Sequence, residues 1–271
     1  MEFLGELLAI LDTQMDTPES YGWFHILFFA LSLLAAYILC VFYKRGKIRN
    51  VPSVVLWVAV VVTLLEIYKQ INYTFQYENG TITADFQWYA FPFQFCSTPM
   101  YIGLLAGLTK KGKLHTAASA YLATYALFAG LCVMFYPDTV FIGTIGINIQ
   151  TMICHGSMVT IGIFLLYTNY VPVNHRLILK AFPVFSTCLI IAIILNEVAF
   201  RTGLLLTDTF NMFFVSPYCE PSLPVYSFIQ NVLPFPVCLL LYLLGFTLAS
   251  YLLSLIAMGI HRFSKQKVNI N

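Results

Sequence analysis

The sequence predicts an all-α polytopic membrane protein: a seven-transmembrane-helix bundle with its amino terminus outside and its carboxyl terminus in the cytoplasm. Three observations carry this expectation. Charge is scarce, with 59% of the 271 residues hydrophobic and only 10% charged, and mean hydropathy is +0.80. A water-facing domain carries about 25% charged residues, so lipid must solvate most of this exterior. Apolar segments recur at the length of about 20 residues that a hydrocarbon core of about 30 Å requires. The charges, finally, are sorted along the chain.

The spans are expected near 21–42, 52–72, 91–108, 115–135, 147–167, 177–196 and 237–260. The first follows an acidic segment with neither a basic n-region nor a small-residue cleavage site, so it reads as a retained helix rather than a signal peptide. The second carries Glu66, Lys69 and Gln70 towards its end. The third is short, with Pro92 suited to a first helical turn and Pro99 expected to kink the helix beside Cys96, because it lacks the N–H that would bond Phe95. The fourth is apolar throughout. The fifth has a long lead-in around Gly143-Thr144-Ile145-Gly146, and the sixth ends on Asn196 and Glu197. Before the seventh lies the longest connection, roughly 198–236, whose Pro217, Pro221, Pro224, Pro234 and Pro236 favour a structured cap over a loose linker. Its Phe210-to-Val215 run is expected to dip into the interface. No soluble domain or repeat interrupts the chain, and residues 1–271 read as one integral membrane domain.

Orientation follows from the sorted charges. Of the fourteen Lys and Arg, twelve lie in the first, third and fifth connections and the tail: Lys44, Arg45, Lys47, Arg49; Lys110, Lys111, Lys113; Arg176, Lys180; Arg262, Lys265 and Lys267. Eleven of the twelve acids fall on the other face, from Glu2, Glu6, Asp12, Asp16 and Glu19 through Glu78, Asp85 and Asp138 to Asp208 and Glu220. The basic connections are short, so the positive-inside rule applies and an odd number of spans is required. The net charge of +2 carries no information about nucleic acid, and none is expected as a partner. Membrane lipids are.

Of the seven cysteines, Cys40, Cys96, Cys132, Cys154, Cys188 and Cys238 lie in spans, where a thiol behaves as a small apolar group. Cys219 is in a loop. With no C-x-x-C pair, a zinc site is not expected, nor is any other metal or cofactor. Asn72-Tyr73-Thr74 and Asn79-Gly80-Thr81 match the glycosylation sequon on the outer face.

Ionisable groups in a bilayer are costly and suggest a site. His25, Glu66, Lys69, Gln70, Gln94, Asn148, Gln150, His155, Asn196 and Glu197 all fall in the outer half of their spans, so together they outline a polar pocket open to the outer leaflet. Each also has a structural reading. Glu66 and Lys69 can pair at i, i+3, His25 can be a satisfied interfacial histidine, and Asn196 can bond between helices. Cys96 is expected about one turn beyond a positive helix end, which stabilises a thiolate. His155 is the one histidine inside a span away from its ends. With Cys96 about 7 Å along the third span and His155 about 12 Å along the fifth, the two can form a Cys–His pair for acyl transfer through a thioester. Gln94, Gln150 and Asn196 are candidates to orient the imidazole or donate to the oxyanion. A different class stays open: a transporter or ligand-binding protein using Glu66, Lys69 and His155, which requires a polar path to the cytoplasmic side.

The run Trp88-Tyr89-Ala90-Phe91-Pro92-Phe93-Gln94-Phe95-Cys96-Ser97, followed by Ile149-Gln150-Thr151-Met152-Ile153-Cys154-His155, resembles the YwaF-type family of bacterial integral membrane proteins. Glu66-Ile67-Tyr68-Lys69-Gln70, Asn196, Asn211-Met212-Phe213-Phe214-Val215-Ser216-Pro217-Tyr218 and Leu223-Pro224 extend the similarity over nearly the whole chain. That family is related to a eukaryotic transmembrane cysteine acyltransferase of ether phospholipids. The resemblance implies a lipid acyltransferase or hydrolase with Cys96 as nucleophile and His155 as its partner. It also implies a fold similar to small membrane hydrolases of branched fatty-acid esters, which use a Thr–His pair. The aromatic setting of Cys96 (Phe91, Phe93, Phe95) departs from the aliphatic pattern of the family.

Overall fold

The structure, a computed structural model, describes residues 2–137, 140–203, 210–220 and 223–268. Asp138 and Asp208 of the expected acidic face and Pro221 of the long connection lie outside the described residues, as do the side chains of Glu2, Pro224, Lys265 and Lys267. The described chain is mostly helical. Six helices are long and apolar enough to cross a bilayer: α2 (Trp23–Lys44), α3 (Val51–Thr74), the continuous helix Lys113–Phe135, α7 (Ile145–Tyr167), α8 (Leu177–Arg201) and, after the short α9 (Pro224–Gln230), Phe235–Arg262 of α10 (Phe235–Val268).

The ends of these helices follow from local chemistry. The α2 helix stops where Gly46 adopts φ +70°, with Gly46 N–H donating to Tyr43 O and Lys47 N–H to Phe42 O, both at 2.9 Å. This is a Schellman stop, and glycine fits its left-handed residue without a Cβ penalty. The α3 helix starts on Asn50, whose side chain accepts from Ser53 N–H, with Pro52 in the first turn.

Three elements depart from the sequence expectation. Where the third span is expected, the helix begins only at Thr98, and α4 (Thr98–Leu108) has 11 residues, too few to count among the six long helices. At 1.5 Å per residue it extends about 16 Å, half of a hydrocarbon core. Pro99 therefore occupies the first helical turn and interrupts no i→i−4 bond, so the expected kink is absent. Pro92 lies in irregular chain before the helix. Next, the fourth span is not uniformly α-helical: α5 (Lys113–Tyr121) passes through a π-turn, Leu122–Ala126, into α6 (Leu127–Phe135). Finally, Asn79-Gly80 is the turn of a hairpin, β1 (Phe75–Glu78) and β2 (Thr81–Ala84), paired antiparallel with Glu78 opposite Thr81. Positive φ at both Asn79 (50°) and Gly80 (78°) is what a two-residue hairpin turn of matching twist demands. The other sequon is spatially closed, because Asn72 is only 9% exposed and its side chain donates to Leu11 O at 3.2 Å.

A short amphipathic helix, α1 (Glu2–Leu11), precedes the bundle. Tyr68 OH and Asn72 both donate to Leu11 O, satisfying a terminal carbonyl that α1 itself leaves open. Past α1 the chain pairs with the entry to α7: Met15 N–H donates to Gly143 O at 2.7 Å and Ile145 N–H to Thr13 O at 3.1 Å.

Small residues set the helix spacing. A Cβ on Gly103 would lie 2.9 Å from Ala59 Cβ, and one on Gly107 would lie 2.5 Å from Leu56 Cβ. The Gly103-to-Gly107 spacing is the small-xxx-small pattern that lets helices in lipid approach closely, and it seats α4 on α3. Gly156 and Gly162 do the same for α7, against Ser32 of α2 and Leu127 of α6. Thr160 Oγ1 adds an interhelical bond to Ser32 O at 2.9 Å.

Candidate functional site

The polar centre of the bundle is organised by non-helical backbone. Residues 85–97 run without α-helix between the hairpin and α4. Peptide groups outside regular helices and strands need partners when buried, and here side chains supply them. Gln70 donates to Ala90 O at 2.8 Å and Tyr101 OH to Pro92 O at 2.9 Å. Thr98 Oγ1 donates to Phe95 O at 2.9 Å and meets Tyr121 OH at 2.8 Å, tying this stretch to α5. Cys96 ends the stretch in a turn two residues before α4, preceding the positive end of the helix rather than sitting inside it.

A second irregular segment, residues 210–217, descends against the first. Phe210, Met212, Phe213, Val215 and Ser216 are buried within the protein. Two amides grip its backbone. Asn196 accepts from Met212 N–H at 2.8 Å and donates to Met212 O at 3.0 Å. Gln94 accepts from Phe213 N–H at 3.2 Å and donates to Asn211 O at 3.1 Å. Tyr242 OH reaches Phe213 O at 3.0 Å. The Phe213 ring stacks on Phe95, centroids 5.3 Å apart, so this plug rests directly on the residue before Cys96. Asn196 and Gln94 thus hold the plug, and the His155 imidazole is oriented instead by Thr151, whose carbonyl lies 2.7 Å from Nδ1.

Around Cys96 the charged groups are few and close. Lys69 Nζ meets Glu66 Oε1 at 2.7 Å, with both side chains largely buried. Gln70 donates to the same oxygen at 2.9 Å, and Gln150 donates to Glu66 Oε2 at 3.4 Å. The Gln150 amide also lies 3.3 Å from Cys154 Sγ. Lys69 is an electrostatic neighbour of Cys96, Cys154 and His155 alike. Of the sequence-expected residues, Glu66, Lys69 and Gln150 are thus joined by direct contacts.

No hydrogen bond joins Cys96 to His155. The α7 residues that share a cavity with Cys96 are Cys154, Ser157, Met158 and Ile161, and one residue along a helix turns a side chain by about 100°, so His155 faces the side adjacent to Cys154. Thr151 O can only accept, so in neutral His155 the proton resides on Nδ1 and Nε2 is left as the basic nitrogen. Among the described residues Nε2 has no partner. Cys154 was absent from the sequence-derived site. Its signal was the i, i+4 spacing from Gln150, which places both on one helix face.

The cavity beside Cys96 measures about 30 Å³ and is also walled by Pro99, Met100, Leu122 and Ala126, the last two from the π-turn. Such turns recur at functional sites. A volume of this size accommodates one water-sized molecule. Through Val58, Val62 and Ser157 it adjoins an apolar groove of about 450 Å³ between α2, α3 and α7, lined also by Leu31, Ala35 and Trp57. On its other flank, Met100 separates it from a groove of about 390 Å³ that reaches Glu66, Gln70 and Tyr101. Towards the basic turns the walls are Val55, Ala59, Met158 and Ile161. The polar path that solute transport requires is not found among the described residues.

Two other residues of the expected polar set are held by backbone groups. His25 accepts from Tyr21 N–H at Nδ1 and faces Met134 O from Nε2 at 3.0 Å. Asn148 pairs both ways with Ile142.

Six helices long and apolar enough to cross a bilayer, packed around a polar centre, define a multi-pass membrane protein. The family model of the TMEM164 family matches residues 20–255, and the chain belongs to that family. No curated protein and no solved structure matches it.

Proposed function

We propose that this protein is a lipid-directed acyltransferase or hydrolase in which Cys96 is the nucleophile and His155 the general base and acid. The observation that carries this reading is the placement of Cys96 on non-helical backbone, facing a water-sized cavity that adjoins an apolar groove. A cysteine used only for packing needs no such break, and a groove open to lipid suits an acyl chain entering sideways.

In the proposed cycle a rotation of the side chains brings Cys96 and His155 together, and the Cys96 thiol proton passes to His155 Nε2. Sγ attacks the ester carbonyl carbon, and the C–O bond breaks with the leaving alkoxide taking the proton from Nε2. The thioester is then cleaved by an acceptor hydroxyl or by water, which gives transfer or hydrolysis, and the thiol is restored. Lys69, positioned by Glu66, and the Gln150 amide stabilise the developing oxyanion. Asn196 and Gln94 act at one remove by holding the plug against Phe95.

The same reading assigns the chain to the YwaF-type bacterial branch, with seven crossings, amino terminus out and carboxyl terminus in the cytoplasm. The seventh crossing is α4 completed by residues 91–97. It returns the chain from the hairpin to Lys110, Lys111 and Lys113, in keeping with the positive-inside rule.

The test is labelling in membranes with a thiol-reactive lipid electrophile, beside turnover of a phospholipid with a fluorescent acyl ester. Wild type and Cys154→Ala should label and turn over, Cys96→Ala should do neither, and His155→Asn should label slowly. Undiminished labelling and turnover in Cys96→Ala would remove Cys96 as the nucleophile.

A further inference from the structure

On the side of the bundle where α2 and α10 flank α6 and α7, a cleft of about 550 Å³ opens towards the basic turns. Its floor is aliphatic, including Leu131 and Ile256, while Tyr43, Lys44, Tyr167 and His261 line it at the basic end. His261 Nε2 lies 2.8 Å from Leu166 O, which holds α10 to α7 and fixes the mouth. Lys44 has no carboxylate partner, since among the described residues the ion pairs are Lys69–Glu66 and Arg201–Glu197. Nor does the surrounding sequence supply one: residues 44–50, 109–113, 168–180 and 261–268 contain no Asp or Glu. The hydroxyls of Tyr43 and Tyr167 are likewise unpartnered among the described residues.

We infer that this cleft binds an anionic phospholipid of the leaflet at the basic end. The phosphodiester would lie against Lys44 and the tyrosine hydroxyls, with an acyl chain along the aliphatic floor. The argument is charge complementarity: a row of cations that the chain does not neutralise must take its counter-charge from outside, and basic pockets between transmembrane helices recognise lipid head groups. A neutral lipid would leave Lys44 unpaired, and a free anion would leave the aliphatic floor unfilled. This site is separate from Cys96, so it stands or falls independently of the acyl-transfer reading.

The experiment is native mass spectrometry of the whole chain released from vesicles containing equal phosphatidylglycerol and phosphatidylcholine. Wild type should retain phosphatidylglycerol preferentially. Lys44→Ala should weaken that retention about fivefold, the effect of one basic residue near an anionic headgroup. Ile256→Trp, at an exposed position that narrows the cleft, should weaken it with every charge in place. Lys47→Ala, outside the cleft, should leave it unchanged. Equal retention of both lipids, equal losses in Lys44→Ala and Lys47→Ala, no loss in Ile256→Trp, or displacement of the lipid by excess inorganic phosphate would each overturn the assignment.

Discussion

Removing the Asn196 amide is the sharpest structural perturbation available. Asn196 satisfies both the N–H and the C=O of Met212 in a buried site. A buried backbone group left without its partner costs about 1–3 kcal/mol, so Asn196→Ala should cost about 2–6 kcal/mol. Interhelical bonds in bilayers average only about 0.6 kcal/mol, because the unfolded state in lipid finds other partners. That lower value does not apply here, since the plug belongs to a loop whose unfolded backbone is hydrated and gives up water bonds on burial. The plug also holds Phe213 at φ 59° and Phe214 at φ 57°, left-handed conformations costing about 1–2 kcal/mol each. Releasing the clamp lets this strain relax, so local opening should dominate over global unfolding. Hydrogen exchange reads that opening directly. The Met212 and Phe213 amides should exchange at least about 30-fold faster in Asn196→Ala, the equivalent of about 2 kcal/mol. Gln94→Ala should act on the same amides, and the double variant should be less than additive because both release one segment. Exchange within about threefold of wild type in Asn196→Ala would refute the clamp.

Three further outcomes follow from the geometry. Glu66→Gln should destabilise by about 3–5 kcal/mol, because it leaves the largely buried Lys69 ammonium without its counter-ion; Glu66→Gln with Lys69→Met should recover most of the loss in thermal unfolding in detergent. Gly107→Leu should cost at least about 1–3 kcal/mol, since its Cβ would lie 2.5 Å from Leu56 Cβ, and crosslinking between α3 and α4 should fall. Tyr226 is buried, its hydroxyl has no partner among the described residues, and burial pushes its pKa up to about 12. Unfolded tyrosine ionises near 10, so between these values the unfolded state holds fewer protons and stability falls as pH rises. Tyr226→Phe should be neutral or stabilising at pH 7 and should flatten that alkaline decline, measured by unfolding at a series of pH values.

The sequence was most informative where hydropathy alone decides. The six long spans lie within a few residues of their expected positions, apart from the later end of α8, and the Glu66–Lys69 pair follows from i, i+3 spacing. It was least informative where tertiary partners replace helical bonds. The chain before Thr98 is as apolar as a span, and nothing local announces that Gln70, Tyr101 and Thr98 will satisfy its carbonyls. Pro92 and Pro99 were both compatible with a helix start, and the later one won. The hairpin was legible in Asn79-Gly80 but was read as a sequon. The α1 helix had its signal in Phe3, Leu4, Leu7, Leu8 and Leu11 at helical spacing. Cys154 was passed over because a thiol next to a histidine in a span resembles ordinary packing. The grip of Asn196 on a loop many residues downstream has no counterpart in sequence pattern at all.

The brevity of α4 bears on how the chain is made. Eleven residues are too few for an insertion machinery that selects segments of about 20 apolar residues. This helix should therefore be recruited by a neighbour already in the bilayer, and the glycine face against α3 supplies the means. The unit of biogenesis becomes an α3–α4 hairpin, completed before the basic turn at Lys110 emerges in full. Ribosome-arrested chains long enough to bring α4 clear of the exit tunnel should then protect α4 from protease, and the Gly107→Leu chain should not. Equal protection of the two would mean that α4 enters the membrane unaided.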